Sequence, residues 1–424
     1  MRMAAAAARL RAVALWAALL VLVVGVFSVS GAEVPNSSSS PSSSHLGQQG
    51  AFTSRRPSVE RELDAARAAI RRAARLHRGS NASSAPGRWF RGDDVDYALL
   101  ARVYRKVRNP AAFHRSYVEM ERRFKVYVYT EGEPPILHAG PCKNIYTIEG
   151  RFIEQLELLA PPAAGVRTWD PDRAHAFFLP FSVVQMVHFA YRPLSYDRAP
   201  LLSLVRDYVR VDVSIPEINL YDGDTPRQLL GPSPSSPGLS ARPYLAFFAG
   251  GRHGHVRDLL LRHWKGRDPA TFPVYEYDLP STTGNGNSSG SHNRRGRDRQ
   301  SDYFAYMHRS RFCLCPSGHE VASPRVVEAI HAGCVPVLVS GGYPPPFADV
   351  LRWESFSVSV PVADIPRLKE VLEGIPTAEV ERLRDGVRLV KRHFTLRQPP
   401  ERLDMFHMIL HSVWLRRLNF RLDH

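Results

Sequence analysis

The sequence predicts an α/β fold built around a mostly parallel, doubly wound sheet. From about Ser116 onwards, short apolar runs alternate with longer runs that have helical periodicity. Strands that are apolar on both faces are typical of parallel sheets that are covered by helices on both sides. The chain has 424 residues, of which 44% are hydrophobic, so it is long enough for two such domains with buried cores.

The predicted strands are, in chain order, "FKVYVYT", "AHAFFLPF", "PYLAFFAGG", "FPVYEYD", "RFCLCPS", "CVPVLVS" and "SFSVSVPV". A helix is predicted around Phe152–Leu159, between the first two strands, and another at "HVRDLLLRHW", after the third. The polar run Pro280–Gln300 is rich in Gly, Ser and Asn, and we expect it to be a disordered insertion.

The N-terminus predicts a membrane anchor. Residues Ala12–Ala32 carry no charge and follow Arg2, Arg9 and Arg11. A helix of that length rises roughly 30 Å, about one hydrocarbon core, and preceding arginines favour a cytosolic tail over residues 1–11. The small residues of "SVSGA" leave a cleaved signal peptide as the alternative. Both readings place the rest of the chain in a lumen or outside the cell.

Residues 33–115 are predicted as a stem that begins with a flexible Ser-rich part. Apolar residues then recur at helical spacing, namely Val59, Leu63, Ala66, Ile70 and Ala73. This amphipathic helix could pair with another copy or pack within the chain. Asn-x-Ser sequences fit a lumenal location and predict glycosylation at Asn36, Asn81 and Asn287.

The formal net charge of +15 is concentrated in part in Arg55–Ser80. Basic helices bind nucleic acid or anionic membranes, but a lumenal compartment argues against nucleic acid, so we expect a solvated helix face. The four cysteines, Cys142, Cys313, Cys315 and Cys334, lack the paired spacing of metal ligands. One disulfide is possible in an oxidising lumen, although sequence does not assign it, and buried thiols are the default expectation.

Two strand–glycine–helix turns stand out as a candidate site. The first, "FFAGGRHGHVRDLL", carries Gly250, Gly251 and Arg252. The second runs from Cys315 to Ser340, "CPSGHEVASPRVVEAIHAGCVPVLVS". Ligands bind doubly wound sheets at the carboxyl ends of the strands, so these turns predict two walls of one phosphate pocket.

In the second turn, Ser323 is predicted to cap a helix that carries Arg325 and Glu328. Arg325 and Glu328 could belong to the phosphate pocket. The alternative interpretation is that they form an ordinary surface pair, three residues apart, that stabilises the helix by a few tenths of a kcal/mol.

The run "FCLCPSGHEVASPRVVEAIHAGCVPVLVSGGYPPPFADVLRW" resembles the C-terminal half of the exostosin-type glycosyltransferases, glycosyltransferase family forty-seven. Three further runs, "DVSIPEIN", "LAFFAGG" and "HMILHSVWLRR", resemble the plant branch that builds cell-wall polysaccharides. The resemblance covers roughly Phe124–Arg417.

The resemblance implies a GT-B fold of two Rossmann-like domains behind the anchor and stem. We expect the acceptor-side domain at 116–236, the nucleotide-sugar domain at 237–396 with its insertion at 280–300, and a C-terminal helix at 397–424. It implies an inverting enzyme of the Golgi membrane that moves a sugar from a uridine diphosphate sugar to a wall polysaccharide. Other glycosyltransferases could be partners in a complex; nucleic acid and cofactors are not expected.

Carried over residue by residue, the resemblance implies that Glu328 binds the ribose hydroxyls and that Arg325 stabilises the diphosphate. Backbone amides around Ser317 and Gly318 would help Arg325. Glu320 would touch the donor sugar or the acceptor, and it is the only candidate for a catalytic residue.

An Asp-x-Asp metal site is the competing glycosyltransferase design. The pairs Asp170–Asp172 and Asp222–Asp224 match that string, but both lie in turn-like contexts where Asp, Gly and Pro are common. We therefore expect no metal.

One departure concerns the first domain. Relatives carry a segment with a His-Asp-Trp-Gly motif before the "DVSIPEIN" run, whereas here Arg210 is followed at once by "VDVSIPEIN". The first domain would then be truncated, and its sheet would have an open edge. This departure motivates the alternative function, a non-catalytic scaffold subunit of a polysaccharide synthase complex.

Overall fold

The computed structural model describes residues 27–28, 56–79, 106–129, 148–158, 165–178, 214–220, 225–230, 238–281, 292–318 and 322–419. Several predicted features lie outside these residues: the rest of the 12–32 span, the junction after Arg210, Glu320, Asp222–Asp224, Cys142 and the sequons at Asn36, Asn81 and Asn287.

The described helices are α1 Arg56–Gly79, α2 Pro110–Arg123, α3 Ile148–Leu158, α4 Arg227–Leu230, α5 His255–Trp264, α6 His292–His308, α7 Arg325–His331, α8 Leu368–Glu373, α9 Thr377–Val390 and α10 Met405–Asn419. The strands are β1 Phe27–Ser28, β2 Val126–Val128, β3 Arg167–Thr168, β4 Ala176–Phe178, β5 Tyr244–Ala249, β6 Val274–Tyr275, β7 Ser310–Pro316, β8 Val335–Val339 and β9 Val358–Val360. Each of the seven apolar runs predicted as strands overlaps one of these strands, so that prediction is confirmed.

The larger sheet is fully parallel in the order β6-β5-β7-β8-β9. Its central strands are buried on both faces: Ala246 and Phe248 of β5 point into one core, whereas Phe247 and Ala249 point into the other. Helix α5 packs on the first face and α7 on the second, because their apolar residues join these two cores. The prediction of a doubly wound sheet is confirmed for this half of the chain.

The smaller sheet has the order β1-β4-β2-β3. Strands β2, β3 and β4 are parallel, and β1 pairs antiparallel with β4. Strand β1 comes from the predicted membrane span, of which the structure describes only these two residues. Among the described helices, none is long and apolar enough to cross a membrane.

Helix α1 packs on the folded body. Leu63 and Ala66 are fully buried in the core that α2 shares. The buried Arg67 donates through Nε to the carbonyl of Leu418 at 2.7 Å, which ties α1 to α10. The apolar face of α1 is therefore buried within its own chain, which is one of the two arrangements that the sequence left open.

The C-terminal helix α10 returns to the first half of the chain. Trp414 is fully buried against Phe124, with 5.5 Å between ring centroids, and Phe406 lies 5.0 Å from Phe152. His411 contacts the hydroxyl of Ser116 at 3.0 Å. The last helix thus stabilises the first half of the chain.

Two sequence-based expectations are corrected by the described residues. The insertion expected to be disordered over 280–300 is helical from His292, because α6 buries Phe304 and Met307 and extends back into an Arg-rich run that suits a helix. Cys313 and Cys334 form a disulfide between β7 and the turn before β8, since their Cα atoms lie 5.8 Å apart. Cys315 alone remains a buried thiol among the described cysteines.

Candidate functional site

The candidate site lies where the chain reverses direction across the larger sheet. From β5 the chain passes through α5 to β6 on one side, and from β7 it passes through α7 to β8 on the other. Neighbouring parallel strands whose connections leave in opposite directions open a crevice at their carboxyl ends, which is where such sheets bind ligands. Both predicted glycine turns lie at this crevice.

Gly250 follows the last residue of β5, at the point where the side chain of Arg325 approaches the backbone. A Cβ atom at Gly250 would overlap Nη2 of Arg325 and would lie 3.1 Å from its Cζ. Gly251 is restricted in the same way by the hydroxyl of Tyr277 and by Nε2 of His253, the latter at 2.9 Å. The glycines are therefore needed because side chains approach the backbone closely here.

Arg325 reaches from the helix after β7 to the end of β5. Its Nη2 donates to the carbonyl oxygen of Ala249 at 3.0 Å, and its Cζ lies 5.1 Å from the ring centroid of Phe248. Its Nε is shielded from solvent and has no hydrogen-bond partner among the described residues. A buried donor of this kind is available to a ligand.

Arg257 makes the reciprocal connection. It belongs to α5, the helix after β5, and its Nε donates to the carbonyl oxygen of Pro316 at the end of β7, at 3.4 Å. Arg257 is 8% exposed, and a Cβ atom at Gly318 would lie 3.0 Å from its Cζ. The lack of a side chain at Gly318 thus leaves room for this guanidinium. Each of the two glycine turns is therefore contacted by an arginine from the helix that follows the other strand.

Glu328 is buried at the base of the crevice. It is 5% exposed, and its Oε2 accepts a hydrogen bond from the hydroxyl of Tyr303 at 2.8 Å. The side chain of Asn219 also bonds to this carboxylate. Burial raises the pKa of Glu328, while nearby Arg325 and these two hydrogen bonds oppose that rise. The alternative of a surface pair between Arg325 and Glu328 is wrong, since Glu328 is inside the protein.

Glu217 was not a sequence candidate, yet its carboxyl group lies near the two arginines. Burial raises its pKa to about 7, against the attraction of Arg257 and Arg325, and Glu328 raises it further. Its Oε2 is shielded from solvent and has no partner among the described residues. Alternation in "DVSIPEIN" is the signal that could have found Glu217 and Asn219, because the residues between and after them are buried and apolar.

The crevice brings together two guanidinium groups and two carboxyl groups. Arg257 and Arg325 can bind a doubly charged phosphate, because planar guanidinium groups form charge-assisted bonds to phosphate oxygens. Glu328 can accept hydrogen bonds from hydroxyl groups. An anion beside a diol is the combination that this arrangement suits.

Comparison with known proteins identifies the class. Residues 206–375 match a protein family that is described as the Exostosin GT47 domain. A probable glycosyltransferase of Arabidopsis thaliana is 43% identical over 386 residues, covering 78% of this chain and 68% of that protein. The chain belongs to the exostosin glycosyltransferase family. A second probable glycosyltransferase of Arabidopsis is 41% identical over 424 residues, covering 87% of this chain and 80% of that protein.

A shorter similarity connects this exostosin-family glycosyltransferase to a more specifically named protein. It is 44% identical over 63 residues to a probable beta-1,4-xylosyltransferase of Arabidopsis thaliana, covering 15% of each chain. The family match at 206–375 includes Glu217, Arg257, Arg325 and Glu328, so the crevice lies inside the family domain.

The structure does not bring Arg252 into the crevice of the glycosyltransferase. Its Nη1 bonds to Asp258 at 2.8 Å and its Nε to Glu276 at 3.2 Å, in an exposed ion-pair network. Ser317 is buried beside Gly318, and its backbone N–H is taken by the carbonyl of Val339 at 3.0 Å. Of the residues predicted to bind the nucleotide sugar, Gly250, Arg325, Glu328 and Gly318 therefore share the crevice most directly.

Ser323 does not cap α7. The residue that precedes the helix is Pro324, and the Ser323 hydroxyl is buried without a hydrogen-bond partner among the described residues. The expected cap is wrong because the chain turns through Pro324 before Arg325 begins the helix.

The acidic pair at Asp170 has a structural explanation. The Oδ1 of Asp170 accepts from the backbone N–H of Asp172 at 3.0 Å and caps the 3-10 turn Pro171–Arg173. Within the described ranges, no three His, Cys, Asp or Glu side chains come together as metal ligands.

Proposed function

We propose that the chain is an inverting glycosyltransferase with a GT-B arrangement that transfers a sugar from a uridine diphosphate sugar to a plant cell-wall polysaccharide. The observation that carries this proposal is the pair of arginines at the ends of β7 and β5, Arg257 and Arg325, together with the buried Glu328. The family match supports the transferase reaction. The larger sheet supports a nucleotide site at the crevice between β5 and β7, where the chain connections leave in opposite directions.

The diphosphate would lie against Arg257 and Arg325. Bond cleavage at the anomeric carbon leaves negative charge on the diphosphate, and two prearranged guanidinium groups in a water-poor crevice stabilise that charge as it develops. Glu328 would accept hydrogen bonds from the ribose hydroxyls. Tyr303 and Asn219 hold its carboxylate in place, so little reorganisation is required on binding.

The acceptor hydroxyl would attack the anomeric carbon from the face opposite the diphosphate, which inverts its configuration. A base must take the hydroxyl proton. Glu320, the only sequence candidate for a catalytic residue, lies outside the described residues. The proposed reaction requires no metal or cofactor, because the arginines supply the positive charge.

We place the enzyme at the Golgi membrane as a single-pass protein with its catalytic part in the lumen. The uncharged residues that begin at Ala12 and the arginines before them support this topology, and Phe27–Ser28 belong to the folded domain as strand β1. Glycans on Asn36 or Asn81 would be removed by an endoglycosidase and detected as a shift in gel mobility. A chain that carries no glycan and is labelled from the cytosol would contradict the topology.

Titration of the full-length chain with uridine diphosphate tests the nucleotide site. We expect saturable binding to a folded sample and transfer from at least one uridine diphosphate sugar to a wall oligosaccharide, with proton NMR showing an inverted anomeric centre. Absence of binding at millimolar nucleotide would overturn the proposal. Transfer by the isolated chain would also exclude the scaffold alternative.

A further inference from the structure

A polar pocket lies between the two halves of the chain, apart from the two strand ends that form the crevice. Helix α3 contributes Arg151, Glu154 and Gln155 to this pocket. Thr225, just before α4, and Arg397 and Gln398, between α9 and α10, complete its polar lining. The pocket has a volume of about 230 Å³. That volume is below the range of drug-sized ligand sites, so it suits a small ligand or one unit of a longer one.

Gln155 indicates that the pocket is built to bind something. It is 2% exposed, and its Nε2 donates to the backbone carbonyl of Arg397. Its Oε1 is shielded from solvent and has no hydrogen-bond partner among the described residues. Buried polar atoms are almost always paired, so this oxygen is a ready acceptor for a ligand hydroxyl.

The neighbouring side chains hold each other in fixed positions. Arg151 donates through Nη1 to Glu154 at 2.8 Å and to Oε1 of Gln398 at 3.3 Å, and Gln398 donates to Glu154 at 3.1 Å. Arg397 pairs with Glu401 at 3.2 Å. Each arginine is therefore balanced by a carboxylate, and the pocket offers many donors and acceptors with little net charge.

This chemistry differs from that of the crevice. The crevice places two arginines where an anion would bind, whereas the pocket suits a neutral molecule with several hydroxyl groups. The two places are close along the chain: Asn219 bonds to Glu328 of the crevice, and the next residue, Leu220, lines the pocket.

We propose that this pocket binds one neutral sugar unit of the acceptor polysaccharide. The inference rests on the proposed transferase function and assigns its acceptor to a definite place. Gln155 supplies a hydrogen-bond acceptor to the sugar, and Gln398 and Thr225 supply further polar groups at the wall of the pocket. A neutral pentose or hexose unit is preferred over a uronic acid, because Arg151 and Arg397 are already paired with Glu154 and Glu401.

Saturation-transfer NMR on the full-length chain with saturating uridine diphosphate tests this. The probes are xylo-, arabino- and galacto-oligosaccharides, with glucuronic acid as the charged comparator. Gln155→Leu and Gln398→Leu should each weaken oligosaccharide binding about threefold to tenfold, the effect of losing one neutral hydrogen bond. The affinity for uridine diphosphate should stay within about twofold.

Gln228→Leu is the matched control, because Gln228 is an exposed glutamine outside this pocket. Gln398 is also exposed, so its variant keeps the test valid if Gln155→Leu fails to fold. Unchanged oligosaccharide affinity in the folded variants, or no oligosaccharide binding by a chain that binds uridine diphosphate, would overturn the pocket assignment alone. Absence of uridine diphosphate binding would overturn the proposed function instead.

Discussion

Arg257 and Arg325 form reciprocal hydrogen bonds across the crevice, each to the end of the strand that precedes the other's helix. Arg257 belongs to the helix after β5 but donates to the last residue of β7, and Arg325 belongs to the helix after β7 but donates to the last residue of β5. Each guanidinium therefore lies beside a strand end to which its own helix is not directly connected. The arrangement fixes both charges relative to each other and to the crevice between the strands.

Arg325→Ala should weaken binding of uridine diphosphate about tenfold to a hundredfold. The loss of a charge-assisted hydrogen bond costs about 1.5–3 kcal/mol, and the unpartnered Nε of Arg325 is the donor best placed to form one. Isothermal titration of the full-length variant measures the effect. Arg382→Ala is the control, because Arg382 is exposed and pairs with Glu379 on α9. Equal affinities in both variants would remove Arg325 from the nucleotide site.

The role of Glu328 in nucleotide binding is best tested with Glu328→Gln rather than with alanine, because this residue is buried. Because Glu328 is buried, Glu328→Ala would remove the carboxylate to which Tyr303 and Asn219 bond and would cost stability. Glu328→Gln keeps the shape and one carbonyl oxygen. We expect weaker nucleotide binding with a melting temperature close to that of the wild type, measured by titration and differential scanning fluorimetry. Wild-type affinity in this variant would refute a ribose-binding role for the carboxylate.

Gly250→Ala tests the close approach of Arg325 to β5. The new methyl group would overlap the end of the Arg325 side chain, which is flexible enough to move away. The fold should therefore survive while nucleotide affinity falls by about as much as in Arg325→Ala. Gly341→Ala is the control, because a Cβ atom there meets nothing within 4 Å. Full nucleotide affinity in Gly250→Ala would show that the position of Arg325 does not matter.

The parallel sheet could be predicted from sequence because its strands are apolar on both faces and end in glycine turns. The runs "RFCLCPS" and "CVPVLVS" carry that signal in a few residues, and β7 and β8 follow it. The start of α6 could not be predicted in this way. Its first residues are polar and next to a glycine-rich run, and the apolar residues that hold the helix come only near its end.

The candidate site was predicted in part. The position of Arg325 and Glu328 at a strand end followed from local pattern, but the burial of Glu328 did not, because Tyr303 and Asn219 reach it from distant parts of the chain. Glu217 and Arg257 were missed for the same reason. Their significance depends on which strands are neighbours, and local periodicity carries no information about strand order.

Glu217→Gln should change how nucleotide affinity depends on pH. The pKa of Glu217 is raised to about 7, so the carboxyl group is neutral below that pH and negative above it. The charged groups that face it are Arg257, Arg325 and Glu328, and Tyr343 also interacts with it. An ionised Glu217 would repel a bound diphosphate, so wild-type affinity should fall relative to the variant as pH rises through 7.

The measurement is the ratio of the two affinities for uridine diphosphate at pH 6 and pH 8. Titration of the nucleotide itself affects both proteins alike and cancels in the ratio. We expect a ratio near one at pH 6 and about threefold to tenfold tighter binding by Glu217→Gln at pH 8, from one like charge at intermediate effective dielectric. A ratio that is the same at both pH values would contradict the raised pKa or its position near the diphosphate.

Acid should destabilise the folded chain through its buried histidines, of which His411 is the clearest case. Its ring is fully buried, lies 5.1 Å from the ring of Phe113, and bonds to the Ser116 hydroxyl. Burial lowers the pKa of His411 from 6.5 to about 3, and it lowers the pKa of His175, His331 and His393 to about 4. The folded state therefore holds these rings neutral at a pH where the unfolded state already protonates them. Stability is present above pH 6.5 and is lost as pH falls below it.

His411→Gln keeps a group that can bond to Ser116 but removes the titration. Each titrating group changes the free energy of unfolding by at most about 1.4 kcal/mol per pH unit. Urea unfolding at pH 7, 6 and 5 should give a slope for His411→Gln that is shallower than the wild-type slope by up to that amount, although the variant is less stable at pH 7. His255→Gln is the control, because His255 is exposed at the start of α5. If His411→Gln and the wild type lose stability in parallel between pH 7 and 5, the buried ring is not a source of the acid sensitivity.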